Sequence, residues 1–471
     1  MAGTMKLNNI GKPKIGLLPL MLEMYRKYAP DLQQKQESFI HGVRNRLGSF
    51  SDVSVASVCT TRREAEDALR RLESDGIDMI VVIFISYATS ISALGPLLNT
   101  NLPVLLYSTV PKSSMAEGMT MEDIMLNHGV HGYMDLANVL RRNMRRFQFV
   151  CGRIDDREAL AEIEEWARAA RVRNALRSSV IGIAGYTFDG MGDFGVDNTY
   201  LNASIGPEVR HIPLNLLADH IGSIDEREVD EEVKRDRELY EIEGNVSEDI
   251  HREANRIYLG LCKTVEELSL NGFTMHFQGI IENPGIKTLP FLAISKLQQR
   301  GLAYAGEGDI IGTTASLMLH YLFQEAIFTE TFCPDFEGGR LVMGHMGESN
   351  PSFGKRTILR RKKFVFGDAM DPVIADVHMA EGRVTALNLS IVEEGRFQMI
   401  AYTGEICMRI EGASDIDMPY FHFKPDMRLE DLLTEYSIHG GTHHLAMTRG
   451  DRREELMKLA ELLEIDLILL M

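Results

Sequence analysis

Cysteine is scarce in this sequence, and its few cysteines lack the spacing of a disulfide framework or a metal site. There are five of them, an odd number, far apart and without a C-x-x-C pair. This pattern argues against both a disulfide scaffold and a zinc knuckle. Cys59 lies in the apolar run VSVASVC, where a thiol usually acts as a small buried hydrophobic group. We therefore expect reduced thiols and a reducing compartment.

Long apolar runs are missing as well. The apolar residues 15–24 are interrupted by Pro19 and Glu23. The stretch is also shorter than the roughly 20 residues that a membrane helix needs. No apolar segment followed by a small-residue cleavage site is found near the N-terminus. These absences predict a cytoplasmic protein without a membrane partner.

Basic residues are outnumbered by acidic ones. Lys and Arg number 50 against 68 Asp and Glu, which gives a net charge of -18. Because such a charge repels phosphate backbones, we do not expect nucleic acid as a partner. The charge is reversed locally at residues 355–363, KRTILRRKK, with six cations in nine residues. An anion site is one interpretation, but a strand edge protected by its charges is favoured.

The arrangement of apolar runs predicts the fold class. A length of 471 residues predicts about three domains at roughly 150 residues each. The runs KIGLLPLM, VSVASVC, MIVVIFI and PVLLYST, separated by amphipathic stretches, predict buried parallel strands that alternate with helices. A second series starts at SSVIGIAGY, and turn-punctuated alternating segments after about residue 326 predict antiparallel strands. The acidic residues 225–249 predict an exposed helix rather than a metal site.

The predicted fold class is therefore α/β, with two doubly wound Rossmann-like domains followed by a mostly antiparallel β C-terminal domain. The predicted boundaries are 1–177 for the N-terminal α/β domain, 178–325 for the central α/β domain and 326–471 for the mainly β domain.

Candidate functional groups lie in the second half of the chain. Glu307 follows an apparent strand in AYAGEGD, and ligands collect beyond the carboxyl ends of parallel strands. Glu330 lies among apolar and aromatic residues in AIFTETF, where an unpaired charge is costly. His345 ends an apolar run in VMGHMGE. The fourth candidate is His443 or His444 in HGGTHHLAM.

Each of these groups also has an ordinary structural interpretation. A Gly-Glu-Gly-Asp turn is usually a plain loop, a single strand histidine is usually a hydrogen-bonded core residue, and a histidine pair in a loop is often surface. The ordinary interpretations are weaker when the four groups are considered together, because we expect all four to lie in glycine-rich turns at strand ends. Two carboxylates with two imidazoles suit Mn²⁺, Co²⁺ or Fe²⁺ better than a metal that prefers thiolates.

Five ordered motifs resemble the L-arabinose isomerase family, within the wider L-fucose and L-arabinose isomerase group. They are G-I-K-T-L-P at 285–290, A-G-E-G-D at 305–309, Glu330, G-H-M-G-E at 344–348 and G-G-T-H-H at 440–444. Upstream, N-H-G-V-H-G at 127–132 resembles the family loop that a neighbouring subunit lends to the active site. The resemblance spans most of the chain and identifies a divergent member.

The resemblance implies a metal-dependent aldose–ketose isomerase that acts on a free pentose, hexose or related sugar through a cis-enediol(ate) intermediate. The cofactor would be Mn²⁺, with Co²⁺, Fe²⁺ or Mg²⁺ as alternatives. Its ligands would be Glu307, Glu330, His345 and His444, and the two glutamates would also transfer the protons. The substrate-binding residues would be His128, His131, Met191, Phe277 and His443. A homotrimer or homohexamer would share active sites, with His128 and His131 supplied by the adjacent subunit.

This chain departs from the family at two places that contact the sugar. His128 stands where the family has glutamine, and residues 21–25, MLEMY, replace the family's Gln-His-Leu-Tyr segment. The sequence therefore leaves the sugar open. Two other function classes also stay open. One is a metal-dependent sugar epimerase or hydrolase, and the other is a non-catalytic sugar-binding protein, since paired doubly wound domains also build sugar receptors.

Overall fold

The computed structural model of this chain describes residues 7–116, 118–365, 369–410 and 416–471. It divides into two compact units. One is Ile10–Asn174, and the other consists of Ala175–Met471 together with the described residues before Ile10. All five cysteines are free, and Cys59 is buried as expected. Within the described residues, none of the helices combines the length and the apolar character needed to cross a membrane.

The unit of Ile10–Asn174 is built on a parallel sheet. Its strands are β1 (Lys14–Leu20), β2 (Asp52–Val55), β3 (Met79–Phe84), β4 (Val104–Ser108) and β5 (Gln148–Cys151), in the order β2-β1-β3-β4-β5. Its helices are α1 (Tyr25–Tyr28), α2 (Asp31–Lys35), α3 (Glu37–Leu47), α4 (Arg62–Ser74), α5 (Ile91–Asn99), α6 (Met121–Asn127), α7 (Val130–Arg142) and α8 (Arg157–Leu176).

The apolar runs become the buried strands of this sheet. Every residue of β3 is buried, because helix residues such as Leu69 and Leu136 share its core. The run VSVASVC is strand only in its first part, and Cys59 meets Leu20 in an isolated bridge. Just after it, Thr61 and Glu64 form a reciprocal capping box that starts α4.

The second unit begins with another parallel sheet, in the order β10-β9-β6-β7. Its strands are β6 (Val180–Ala184), β7 (Glu208–Ile212), β9 (Gly272–Met275) and β10 (Ala303–Ala305). Its helices are α9 (Asn198–Ser204), α10 (Leu214–Gly222), α11 (Glu226–Leu239), α12 (Glu248–Glu267), α13 (Phe277–Glu282), α14 (Phe291–Gln299) and α15 (Ile310–Phe323). Helix α15 is buried over almost its whole length, as expected of a helix that is apolar on all sides.

The same unit continues in a mostly antiparallel sheet in the order β15-β18-β11-β12-β17-β16-β19. These strands are β11 (Ile327–Asp335), β12 (Arg340–Gly344), β15 (Gly382–Ile391), β16 (Phe397–Cys407), β17 (Tyr420–Pro425), β18 (His444–Arg449) and β19 (Asp466–Leu470). The helices that accompany them are α16 (Leu429–Ile438) and α17 (Arg453–Leu463). The predicted fold class is thus confirmed, and the division at residues 178 and 326 stays a prediction.

A small fourth sheet, of three strands, corrects the interpretation of the basic run at residues 355–363. Strand β13 (Gly354–Arg361) lies between β14 (Val373–Met379) and β8 (Glu241–Ile242). It is therefore a central strand, and the interpretation of the run as a charged strand edge is wrong. The charges are tolerated because the flanking segments supply carboxylates, as Glu243 and Asp376 do for Arg360.

The acidic residues 225–249 are only partly the exposed helix that their charge pattern predicts. The helix α11 ends at Leu239, and β8 and the start of α12 follow. Asp236 on α11 is fully buried, and its carboxylate accepts hydrogen bonds from Lys296 at 2.6 Å and Asn255 at 2.7 Å. Charge alternation gave no sign of this, because the partners come from later helices.

We predict that Lys296→Met destabilises the second unit by about 3–5 kcal/mol, since it removes the ammonium partner of the buried Asp236 carboxylate and leaves only Asn255 and His251 beside it. Urea unfolding followed by circular dichroism measures the loss. Lys234→Met, on the exposed part of the same helix α11, is the matched control and should change stability by no more than about 0.5 kcal/mol. Equal effects of the two substitutions would contradict the importance of the buried pair.

Candidate functional site

Glu307 lies in a tight turn between β10 and α15. Its φ is +61°, a left-handed value that is uncommon for a residue other than glycine and typical of strained functional sites. The Phe188 amide donates a hydrogen bond to the Glu307 carbonyl at 3.0 Å and holds the turn. A Cβ at Gly306 would lie 2.8 Å from Cε1 of His345, so glycine there lets the imidazole pack against the backbone.

Neighbouring strands of the antiparallel sheet bring the other three groups together. Glu330 on β11 pairs with His444 on β18 and with Gly344 on β12, and His345 follows Gly344 directly. Directly paired residues project from the same face of a sheet, so this register places Glu330 beside His444. The expectation that all four groups lie in turns is therefore wrong for Glu330, which is within a strand because its pairing partners lie on both sides.

The side-chain atoms of these four residues converge. His444 Nε2 lies 3.7 Å from Glu307 Oε2 and 4.0 Å from Glu330 Oε2. His345 Nε2 lies 4.0 Å from Glu330 Oε1. In two overlapping triads, Glu307/His345/His444 and Glu330/His443/His444, the possible ligand atoms all lie within 4.8 Å of one another.

His444 provides the strongest sign that the cluster fits a cation. The residue is fully buried, and its Nε2 has no hydrogen-bond partner in the described part of the chain. An unpaired buried imidazole nitrogen is costly and calls for an explanation. Because it faces two carboxylates at 3.7–4.0 Å, a divalent cation between them fits the donor set.

A second layer of buried carboxylates holds the two imidazoles. Asp309 Oδ2 is hydrogen-bonded to His444 Nδ1 at 3.0 Å, and Glu348 Oε1 lies 3.0 Å from His345 Nδ1. The Tyr304 hydroxyl donates a hydrogen bond to Glu348 Oε1 at 2.7 Å. Such partners fix the ring orientation and leave Nε2 for a metal. Sequence reasoning gave Asp309 and Glu348 no role, although both end the A-G-E-G-D and G-H-M-G-E motifs.

Burial and charge separate the pKa values within the cluster. Burial alone would lower the pKa of His345, but the carboxylates of Glu348 and Glu330 outweigh it and raise this pKa to about 9. Burial, together with the charge of His345, holds the pKa of His444 well below its usual value. Burial raises the pKa of its partner Asp309 to about 7.

The two glutamates differ in the same way. Burial raises the pKa of Glu330, and the negative charge of Glu307 adds to the effect. Burial would also raise the pKa of Glu307, but the neighbouring histidines, His443 foremost, outweigh burial and lower it. Before any cation binds, Glu307 is therefore the ionised carboxylate and Glu330 the one that holds a proton more readily.

His443 lies beside the cluster, 4.0 Å from Glu307 Oε2 through its Nε2. Its Nδ1 is 2.8 Å from Asp193 Oδ2, and its ring lies against Phe194 at 4.8 Å between centroids. Burial would lower the pKa of His443, but Glu307 and Asp193 raise it to about 9. Sequence reasoning missed Asp193, because 250 residues separate it from His443.

A cavity of about 570 Å³ adjoins the cluster, and Glu307 and His345 form part of its lining. Met191 and Phe277, both predicted to bind the substrate, line the same cavity together with Phe188. The rings of Phe188 and Phe277 lie 5.6 Å apart. The structure thus brings these two predicted residues to the space beside Glu307.

The remaining two predicted residues, His128 and His131, belong to the unit of Ile10–Asn174. His128 caps the C-terminus of α6, and His131 lies in the first turn of α7. His128 Nε2 is 2.8 Å from His131 Nδ1, and the Tyr87 ring lies 5.5 Å from the His128 ring. The two histidines form a pair of their own, and their role as a shared sugar contact stays a prediction.

Comparison with known proteins adds a match over most of the chain. The family model of the L-arabinose isomerase central domain matches residues 195–322, and that of the L-arabinose isomerase C-terminal domain matches residues 325–466. The chain is 24% identical to an L-arabinose isomerase from Yersinia enterocolitica, over 94% of this chain and 92% of that protein. It is 26% identical to an L-arabinose isomerase from Geobacillus kaustophilus, over 80% of this chain and 77% of that protein.

We predict that Glu348→Gln lowers the pKa of His345 from about 9 towards the ordinary imidazole value of roughly 6.5, because the variant loses the charge that favours the imidazolium form. An NMR titration of the His345 Cε1 proton in the metal-free protein measures this pKa. Tyr304→Phe removes a hydrogen bond to Glu348 but keeps its charge, so it should leave the His345 pKa clearly raised.

The same shift should appear in metal binding. In the wild type, the Mn²⁺ affinity should fall about tenfold for each pH unit below the His345 pKa, because a proton competes with the cation. In Glu348→Gln the fall should start nearer neutral pH. Identical pH profiles in calorimetric titrations of both proteins would show that Glu348 does not control this ligand.

Proposed function

Because this chain belongs to the L-arabinose isomerase family, we propose that it is a metal-dependent sugar isomerase that interconverts an aldose and a ketose. The observation that carries this proposal is the convergence of two carboxylates and two imidazoles, drawn from separate strands and a turn, around His444 Nε2. Proton transfer between adjacent carbons needs an acid, a base and an electrophile in one place. The cluster offers carboxylates for the acid and the base, and it would hold a cation as the electrophile.

Glu307, Glu330, His345 and His444 would hold the cation, with Mn²⁺ as the first choice and Co²⁺, Fe²⁺ or Mg²⁺ as alternatives. Two carboxylate and two imidazole ligands favour these ions over metals that prefer thiolate. When bound, the cation supplies a Lewis acid that polarises the sugar carbonyl. The outer carboxylates Asp309 and Glu348 keep both imidazoles aimed at the site.

The two glutamates would divide the proton transfers. Glu307 takes the proton from C2 of the aldose as the base, and Glu330 in its protonated form donates a proton to O1, which gives the cis-enediol(ate). The Glu330 carboxylate then takes the proton of the C2 hydroxyl, Glu307 gives its proton to C1, and the ketose is formed. The apolar cavity walls, among them Met191 and Phe277, exclude water from this exchange.

We further propose that the protein works as a homotrimer or homohexamer in which His128 and His131 reach the site of an adjacent subunit. The pair is accessible, and burial together with the charge of His131 lowers the pKa of His128, so a neutral, hydrogen-bonding imidazole is favoured. The helices that flank the pair expose large apolar side chains, such as Met121 and Met134 at 71% and 65% exposure. Exposed apolar side chains of this size commonly mark an interface between proteins.

The reaction itself gives the first test. With Mn²⁺ in ²H₂O, the wild type should convert at least one aldose to its ketose with deuterium at C1, since the proton exchanges on the glutamate. Glu307→Gln should lower kcat by about 10²–10⁴-fold, while Glu337→Gln, on the exposed turn between β11 and β12, should leave it unchanged. NMR and chromatography of the products measure both.

The products of this assay separate the rival functions. A C2 epimer in place of a ketose would indicate an epimerase, and cleavage of a glycoside would indicate a hydrolase. Sugar binding that persists after chelation, with no turnover of any pentose or hexose, would favour a non-catalytic binding protein.

A mixing experiment tests the shared site. Glu307→Gln and His131→Ala should each be nearly inactive alone, because one lacks the base and the other the lent imidazole. Subunits mixed under conditions that allow exchange should regain up to about a quarter of the wild-type activity, since some sites then combine an intact base with an intact neighbour. Light scattering confirms the oligomer, and a mixture no more active than its parents would contradict sharing.

A further inference from the structure

The cavity beside Glu307 has mostly apolar walls. Apart from the residues of the cluster and their carboxylate partners, the described wall includes the following side chains: Phe188, Met191, Phe277, Leu289, Phe291 and Met346. No serine, threonine, asparagine or glutamine is found among the described lining residues. A hydroxyl group that faces this wall loses its hydrogen bonds to water without replacement, which is costly. Apart from the cluster and Tyr304, the described wall therefore offers few hydrogen-bond partners to sugar hydroxyls.

Two lysines, Lys362 and Lys363, interrupt this apolar lining. Lys362 Nζ donates a hydrogen bond to the Asp417 backbone carbonyl at 2.5 Å, and the Lys363 backbone amide donates to the Asp417 carboxylate at 3.3 Å. Both contacts hold the segment that carries the lysines. Burial lowers the pKa of Lys362, and the negative charges of Asp417 and Glu348 act against this effect.

The other cations of the basic run at residues 355–363 are already paired. Lys355 pairs with Glu381, Arg356 with Glu241, Arg360 with Glu243 and Asp376, and Arg361 with Asp371. By contrast, neither Lys362 nor Lys363 forms an ion pair within 4.0 Å in the portion of the chain that the structure describes. The Asp417 carboxylate offsets part of their charge. The two ammonium groups that line the cavity are the ones left for a ligand.

Lys363 also lines a second cavity, of about 510 Å³, together with Arg360 and Arg361. Asp371 and Asp417 line it as well and balance two of these charges. Because Arg360 and Arg361 are paired with carboxylates, Lys362 and Lys363 are the cations of this edge that have no ion pair among the described residues. An ammonium group without an ion pair attracts anions.

We propose that the sugar isomerised at this site carries an anionic group, a carboxylate or a phosphate, which Lys362 and Lys363 bind. The inference rests on the proposed function, because it assumes that the carbonyl end of the sugar lies at Glu307 and His345. An ammonium group at an apolar wall forms a charge-assisted hydrogen bond with an anion, and this bond is stronger than one between neutral groups. The partial burial of Lys362 strengthens the attraction at that lysine further.

The test compares sugars that differ only at one end, with the full-length, Mn²⁺-loaded protein. D-Galactose, D-galacturonate and D-galactose 6-phosphate form one series, and D-ribose and D-ribose 5-phosphate form another. At least one anionic sugar should exceed its neutral counterpart about tenfold or more in kcat/KM, as expected for one charge-assisted hydrogen bond. The carboxylate and phosphate arms identify which anion is recognised.

Substitution of the lysines gives the second measurement. Lys362→Met and Lys363→Met should each lower the ratio of anionic to neutral kcat/KM about tenfold, mainly through KM. Lys355→Met removes a charge of the same basic run that pairs with Glu381 outside the cavity, so it should leave the ratio unchanged. Circular dichroism confirms that each variant is folded.

The outcomes separate this inference from the proposed function. If neutral and anionic sugars are isomerised equally well, and the lysine variants do not change the ratio of their kcat/KM values, the inference is overturned and the isomerase proposal stands. If no sugar is isomerised, the proposed function fails, and calorimetry then decides the inference. The inference is overturned if galacturonate and galactose 6-phosphate bind no more tightly than galactose. It is also overturned if they bind both lysine variants as tightly as the wild type.

Discussion

The register of strand β11 between its two neighbours is the constraint on which the site depends. Glu330 stands opposite His444 on one side and Gly344 on the other, so a single strand fixes the positions of three candidate ligands. A slip of one residue would turn Glu330 to the other face of the sheet and separate it from both imidazoles. The apolar residues of β11, β12 and β18, such as Ile327, Met343 and Met447, are buried in one core and resist that slip.

Around this strand the protein buries charged groups that would be costly to bury without partners. Glu307 and Glu330 are largely buried, with 16% and 18% of their side chains exposed, and they lie close to each other and to two buried imidazoles. Burial and the charge of Glu307 raise the pKa of Glu330, whereas the neighbouring histidines lower that of Glu307. The carboxylates of Asp309 and Glu348 lie behind the imidazoles and stabilise that arrangement.

The sequence predicted the elements better than it predicted the contacts. Apolar runs identified the parallel strands, because a strand buried on both faces must be apolar throughout, as β3 is. Motif order singled out Glu307, Glu330, His345 and His444, which the structure brings together. The strand position of Glu330 was missed, since a carboxylate between apolar residues resembles a strand end when its cross-strand partners are unknown. Asp193 was missed for a related reason, because its contact with His443 joins distant parts of the chain.

The donor atoms of the site and the two cavity lysines are carried by different parts of the second unit. The donors come from the turn after β10 and from the strands around β11, whereas Lys362 and Lys363 follow the end of β13 in the small three-stranded sheet. On the proposed assignment, this separation would let natural variation, or the exchange of a short segment by design, change the choice of sugar at the end of β13 without disturbing the donor atoms.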